Sequence, residues 1–172
     1  MARVSEPRQS SEWIEMEVRG LILDPNGETP IVILRQREGA IYLPIWIGAF
    51  EANAIALALE GVQPPRPMTH DLLRGCLERF GAHLERIEIH DLVDGTFLAR
   101  LIVTTGGGAD EIDSRPSDAM ALALRTGSPI FASKTVLEAA LLNSKASEEG
   151  DEERLRDWLQ NARPEDLGKY QM

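Results

Sequence analysis

The segment Arg115-Pro116-Ser117-Asp118, with Asp113 just upstream, brings two carboxylates and a guanidinium close together along the chain. Glu51 and Asn53 form a second polar group at the start of an otherwise apolar run, and His70-Asp71 a third. These residue types can do phosphate chemistry. Helix starts offer unpaired backbone N–H groups and a positive dipole end, which favour anions such as phosphate. Carboxylates beside them can hold Mg²⁺ or Mn²⁺, which keep several waters and take few protein ligands. Metal-activated water is the usual route to phosphodiester cleavage, and histidine, which ordinarily titrates near neutrality, can move the proton.

The same residues have plainer uses. Asp71 and Asp118 can cap their helices, and Arg115 can pair with Asp113 or Glu51. Glu51 and Asn53 can satisfy loop backbone groups, and His70 can be neutral and merely hydrogen-bonded. Asp94, before Gly95, is a turn residue. Cys76, the one cysteine, falls among Leu72, Leu73, Leu77 and Phe80 and reads as a buried structural thiol. Gly106-Gly107-Gly108 lacks the following helix that a phosphate loop needs.

The elements that must position these groups follow from periodicity and turn residues. Trp13 to Leu23 alternates as a strand. Asp24-Pro25-Asn26-Gly27 turns the chain into a second strand over Ile31–Leu34. Glu38-Gly39 leads to a third over Ile41–Ile47, where Pro44 argues for an edge or a bulge. Ala49–Glu60 predicts a helix, apolar nearly all round and so deeply buried. After the proline-stiffened Val62–Met68, Thr69 reads as the N-cap of a helix with one apolar face, ended by Gly81. His83–Leu92 and Thr96–Thr104 form a hairpin about Asp94-Gly95, followed by a short strand over Ala109–Ile112. Pro116 opens a helix that runs to about Arg125 and is stopped by Gly127. Pro129–Phe131 predicts a brief strand and Lys134–Leu142 a last core helix.

The chain has 172 residues, 43% of them hydrophobic, which suits one globular domain. Residues 1–12 predict a flexible N-terminus, 13–142 an α+β domain, and 143–172 an acidic linker and a C-terminal amphipathic helix carrying Leu155, Trp158 and Leu159. No apolar run is long enough to span a membrane, and residues 1–12 have no signal-like segment, so the cytoplasm is the expected address. Net charge is −10, and residues 13–140 alone hold 11 basic against 18 acidic side chains. Such a core cannot grip nucleic acid by phosphate neutralisation alone. It needs a local basic patch, bridging metal ions or transient contact.

Ala54-Ile55-Ala56-Leu57-Ala58-Leu59 repeats as Ala119-Met120-Ala121-Leu122-Ala123-Leu124 at an offset of 65. Each copy follows three strands. The expected fold is therefore an internally duplicated β-β-β-α unit, with a mixed or antiparallel sheet packed against helices. The halves would relate by a pseudo-twofold axis, with Asn53 and Asp118 in equivalent places.

Several motifs, in order, resemble the bifunctional nuclease domain family: Tyr42-Leu43-Pro44-Ile45-Trp46-Ile47-Gly48 with Phe50-Glu51-Ala52, then Arg66-Pro67-Met68-Thr69-His70-Asp71-Leu72, Asp94-Gly95-Thr96-Phe97 and Asp113-Ser114-Arg115-Pro116-Ser117-Asp118-Ala119. The resemblance covers roughly Met16 to Leu142 and implies a nuclease acting on DNA and RNA. On that basis Glu51, His70, Asp71, Asp113, Arg115 and Asp118 are expected at the functional surface. Glu51, Asp113 or Asp118 would hold a divalent cation, Mg²⁺ or Mn²⁺, His70 would move protons, and Arg115 would meet a phosphate. The rival expectation is a non-catalytic homo-oligomeric regulatory or interaction module. Exposed strand edges and the apolar tail positions predict a homodimer or higher homo-oligomer under either reading.

Overall fold

The computed structural model describes residues 13–24 and 29–146. The predicted N-terminal arm, Pro25-Asn26-Gly27 of the first turn and the predicted C-terminal helix lie outside the described residues. Strand β1 is Trp13–Leu23, β2 Pro30–Gln36 and β3 Tyr42–Trp46. Helices α1, Ala49–Leu59, and α2, Thr69–Arg79, follow. The second half holds β4 (His83–Val93), β5 (Thr96–Thr105), β6 (Gly108–Ser114) and α3 (Pro116–Thr126), and ends with β7 (Ile130–Ser133) and α4 (Lys134–Ala146).

The seven strands make one mixed sheet in the order β3-β2-β1-β7-β4-β5-β6. Each half contributes an antiparallel three-strand meander and then a helix, so the predicted duplication is present in the fold. β7 is antiparallel to β1 and parallel to β4. The meanders therefore run in opposite senses on either side of it, as a twofold axis through the sheet requires. A four-residue strand that read as a brief addition is the seam between the halves. α1 packs on β1 and β2, α3 packs on β4 and β5, and the two helices pack on each other.

Local chemistry accounts for these elements. Asp94 and Gly95 both adopt positive φ, 50° and 76°, the pair that a type I′ hairpin turn demands. Pro44 is tolerated because β3 is an edge strand. Ala99, Leu101 and Val103 of β5 alternate into the core, with Phe97 packed against it. Arg100 points the other way, where its Nε donates to Glu88 Oε2 at 2.7 Å. Arg86 Nε holds the other oxygen of Glu88 at the same distance. Glu88 is only 1% exposed, and a charge so deep persists because both its oxygens are paired.

Two predicted burials are overturned. α1 is half-buried: Ala52, Ala54, Ile55 and Ala56 are in the core, but Phe50 is 91% exposed at its start. α2 buries no residue fully. Leu77 packs against the core, whereas Leu72, Leu73, Phe80 and Cys76 are exposed, so Cys76 is not a core thiol. The N-cap of α2 is Met68, not Thr69. Its backbone N–H donates to Asp71 Oδ2 at 2.9 Å, so the acid at the third helical position reaches back to secure the helix start.

Candidate active site

Three helix starts meet on the helical side of the sheet. Glu51 lies in the first turn of α1, His70 and Asp71 in that of α2, and Asp118 in that of α3. Arg115 is the N-cap of α3 and has extended backbone, φ −68° and ψ 144°, because Pro116 excludes the helical region for the residue before it. Its guanidinium can therefore fold back over the helix start. Nε donates to Asp118 Oδ2 at 2.8 Å, and Nη1 stands 2.9 Å from Glu51 Oε1.

Asp118 is shared. Its other oxygen, Oδ1, lies 3.0 Å from His70 Nε2. Burial pushes the Asp118 carboxyl up, but the hydrogen bonds from Arg115 and His70, with their charges, outweigh it and hold the carboxyl below the usual aspartate value. An ionised carboxylate can only accept. His70 Nε2 therefore carries a proton toward Asp118, which leaves Nδ1 as the nitrogen that can exchange one. The His70 side chain is 11% exposed, while that of Arg115 is 66% exposed. The imidazole is thus held in place and the guanidinium is open to a ligand. Asp118 first and Glu51 second raise the Arg115 pKa further, so it is a permanent cation.

Asp71 makes a separate pair. Arg125 Nε, from the far end of α3, donates to Asp71 Oδ1 at 2.7 Å, and the Arg125 side chain is 7% exposed. The Met68 backbone N–H is the main reason why Asp71 sits below its usual value, with Arg125 adding to it and burial opposing. Asp71 therefore fixes α2 onto α3 and holds the neighbouring His70 opposite Asp118.

Of the three expected metal ligands, Glu51 and Asp118 come together and Asp113 does not. Asp113 pairs in register with Arg100, on the sheet face that carries Glu88, away from the helices, and is exposed. The guanidinium of Arg115 bridges Glu51 and Asp118, where a shared cation would stand. Among the described residues, no three His, Cys, Asp or Glu side chains are grouped to hold a metal ion.

The helix starts offer a second register beside the Ala/Leu one. With the helix starts Ala49 and Pro116 superposed, Glu51 takes the place of Asp118, and Arg115 joins the two. Asn53 is two residues, about half a turn, further along. Gly48 is the N-cap of α1. A Cβ there would collide with the Glu51 carboxylate, so only glycine leaves room for that group to fold back. Arg125 was missed altogether; its sole sequence signal is a basic residue in the last turn of a helix.

The family described as the bifunctional nuclease domain matches residues 32–145. An uncharacterized protein of Mycobacterium tuberculosis is 40% identical over 162 residues, 89% of this chain and 97% of that one. Bifunctional nuclease 1 of Arabidopsis thaliana is 27% identical over 109 residues, 61% of this chain and 34% of the plant protein. Bifunctional nuclease 1 of Oryza sativa subsp. indica is 26% identical over a stretch of the same length, 33% of its own chain.

Proposed function

Because this chain belongs to the bifunctional nuclease domain family, we propose that it hydrolyses phosphodiester bonds of DNA and RNA at the junction of the three helix starts. The observation that carries this reading is the continuous chain from His70 through Asp118 and Arg115 to Glu51. His70 Nδ1 takes a proton from the water as its oxygen bonds to phosphorus and gives it to the leaving sugar oxygen as that P–O bond breaks; Asp118 holds the ring in the tautomer that can do so, and Arg115 meets the phosphate. Two carboxylates against one guanidinium leave the cluster net negative. The three helix starts offset this, each worth about half a positive charge. Glu51 and Asp118 meet at Arg115 while Asp113 stands apart, and no step here is routed through a cation.

The test is cleavage of single-stranded DNA and RNA by highly purified wild type, His70→Ala and Asp118→Ala. Each substitution is expected to lower kcat by about 100-fold or more, the usual worth of a positioned acid–base group, while the fold persists. Wild-type rates in both variants would end the reading.

The exposed apolar side of α2 supports a companion reading, that the chain pairs with a second copy through this helix. An assembly without hydrolysis is the alternative that inactive wild type would favour.

A further inference from the structure

Beside the His70 network lies a half-open cleft of about 470 Å³, between the C-terminal ends of α1 and α3 and the first two turns of α2. Leu57, Val62, Pro64 and Leu124 give it apolar walls. Asp71, Arg74 and Arg125 supply its charge, two cations against one carboxylate. In a chain of net charge −10, the partly exposed guanidinium of Arg74, only loosely paired with Glu78 at 3.7 Å, is where an anion can settle. Arg125 is committed to Asp71 and to the Ala121 carbonyl. Arg74 is only partly committed: Nη1 donates to the Arg125 carbonyl at 3.1 Å. Its Nε is buried without a hydrogen-bond partner among the described residues, the carboxylate of Glu78 standing 3.7 Å away.

We propose that this cleft binds one nucleotide of a single-stranded substrate, with the base against the apolar walls and a phosphate toward Arg74. The inference rests on the hydrolytic reading and adds the substrate class. A base stacked inside a duplex cannot reach such a cleft, whereas an unstacked one can. The cleft is also joined to the candidate active site: Asp71 lines it, and the adjacent His70 holds Asp118. A strand with one nucleotide seated here presents its neighbouring phosphodiester on the side of the imidazole.

Gly75 lines the cleft inside α2, and a Cβ there meets nothing within 4 Å. Gly75→Trp therefore fills the cleft without burdening the fold, since glycine is the poorer helix former. Adenosine 5′-monophosphate, titrated by NMR into the full chain, is expected to bind wild type. Its affinity should fall at least tenfold in Arg74→Gln, and binding should be lost in Gly75→Trp. With an oligonucleotide substrate, Gly75→Trp should raise KM at least tenfold and change kcat less than threefold. Failure of wild type to bind the mononucleotide, or equal binding by Gly75→Trp, overturns the cleft. Binding that Gly75→Trp abolishes in a wild type that cleaves nothing would uphold the cleft and remove the hydrolytic reading. Normal cleavage with unchanged KM in Gly75→Trp would do the reverse.

Discussion

Asp71 and Asp118 each tie α2 to α3 through an ionised carboxylate, and both are held below the usual aspartate value of 3.8. A carboxyl depressed in the folded state contributes stability that is complete above its unfolded value and disappears as pH falls through the folded one. The urea midpoint is therefore expected to be flat from neutrality to about pH 5 and to drop below about pH 4. A midpoint that rises on acidification would refute this. Asp71→Asn isolates one of the two groups. It removes the charge facing Arg125, whose side chain is nearly sealed from water, and should cost about 2 kcal/mol by urea unfolding, the scale of a hydrogen bond to a charged group. The acid limb should also become shallower than in wild type. His70 depends on the same contact. If Asp71 acts by positioning, Asp71→Asn lowers kcat with little change in KM, and a stability loss with unchanged kcat would remove that role.

At the scale of elements, α2 is where reading the sequence and seeing the fold part company. The amphipathic pattern of Leu72, Leu73, Cys76 and Phe80 identifies a face, but no local pattern states what covers it. Here nothing in the described core does, and Leu72 is 62% and Phe80 81% exposed. Strands and turns were legible because their causes are local: alternation in β5, positive φ at Asp94-Gly95, the edge position of Pro44. The duplication was legible because it is written twice. The central place of β7 and the Asp71–Arg125 pair were hidden, since both join residues far apart in sequence. The candidate site was legible in its members and not in its wiring; Asp113 looked equivalent to Asp118 until strand alternation turned it to the other face. The exposed face of α2 also yields a measurement. If two copies pair through it about an axis near the middle of α2, Cys76 of one protomer lies near Cys76 of the other, because residues close to a twofold axis face their own copies. A short bis-maleimide should then crosslink wild type into a dimer in high yield. Leu72→Glu with Phe80→Glu should give a monomer by light scattering with an unchanged circular dichroism spectrum. A monomeric wild type refutes the pairing.

For the molecule as a whole, charge is the decisive quantity. A basic nuclease gains affinity by releasing counterions, and for single strands log K falls with log salt at a slope of about −0.7 per phosphate neutralised. This chain has 18 basic against 28 acidic residues, and the arginines placed to meet a strand are Arg115 at the helix starts and Arg74 in the cleft. Two such contacts give a slope of about −1.4. Salt also screens the repulsion between an acidic protein and a polyanion, which flattens the dependence further. Oligonucleotide binding measured between 50 and 200 mM salt, concentrations over which a basic binder weakens by about a thousandfold or more, should here weaken by less than about tenfold. Arg74→Gln should remove roughly half of the slope that remains. A slope steeper than about −4 would mean six or more phosphates neutralised, which a pair of arginines cannot supply, and would transfer strand binding from the cleft to a different surface.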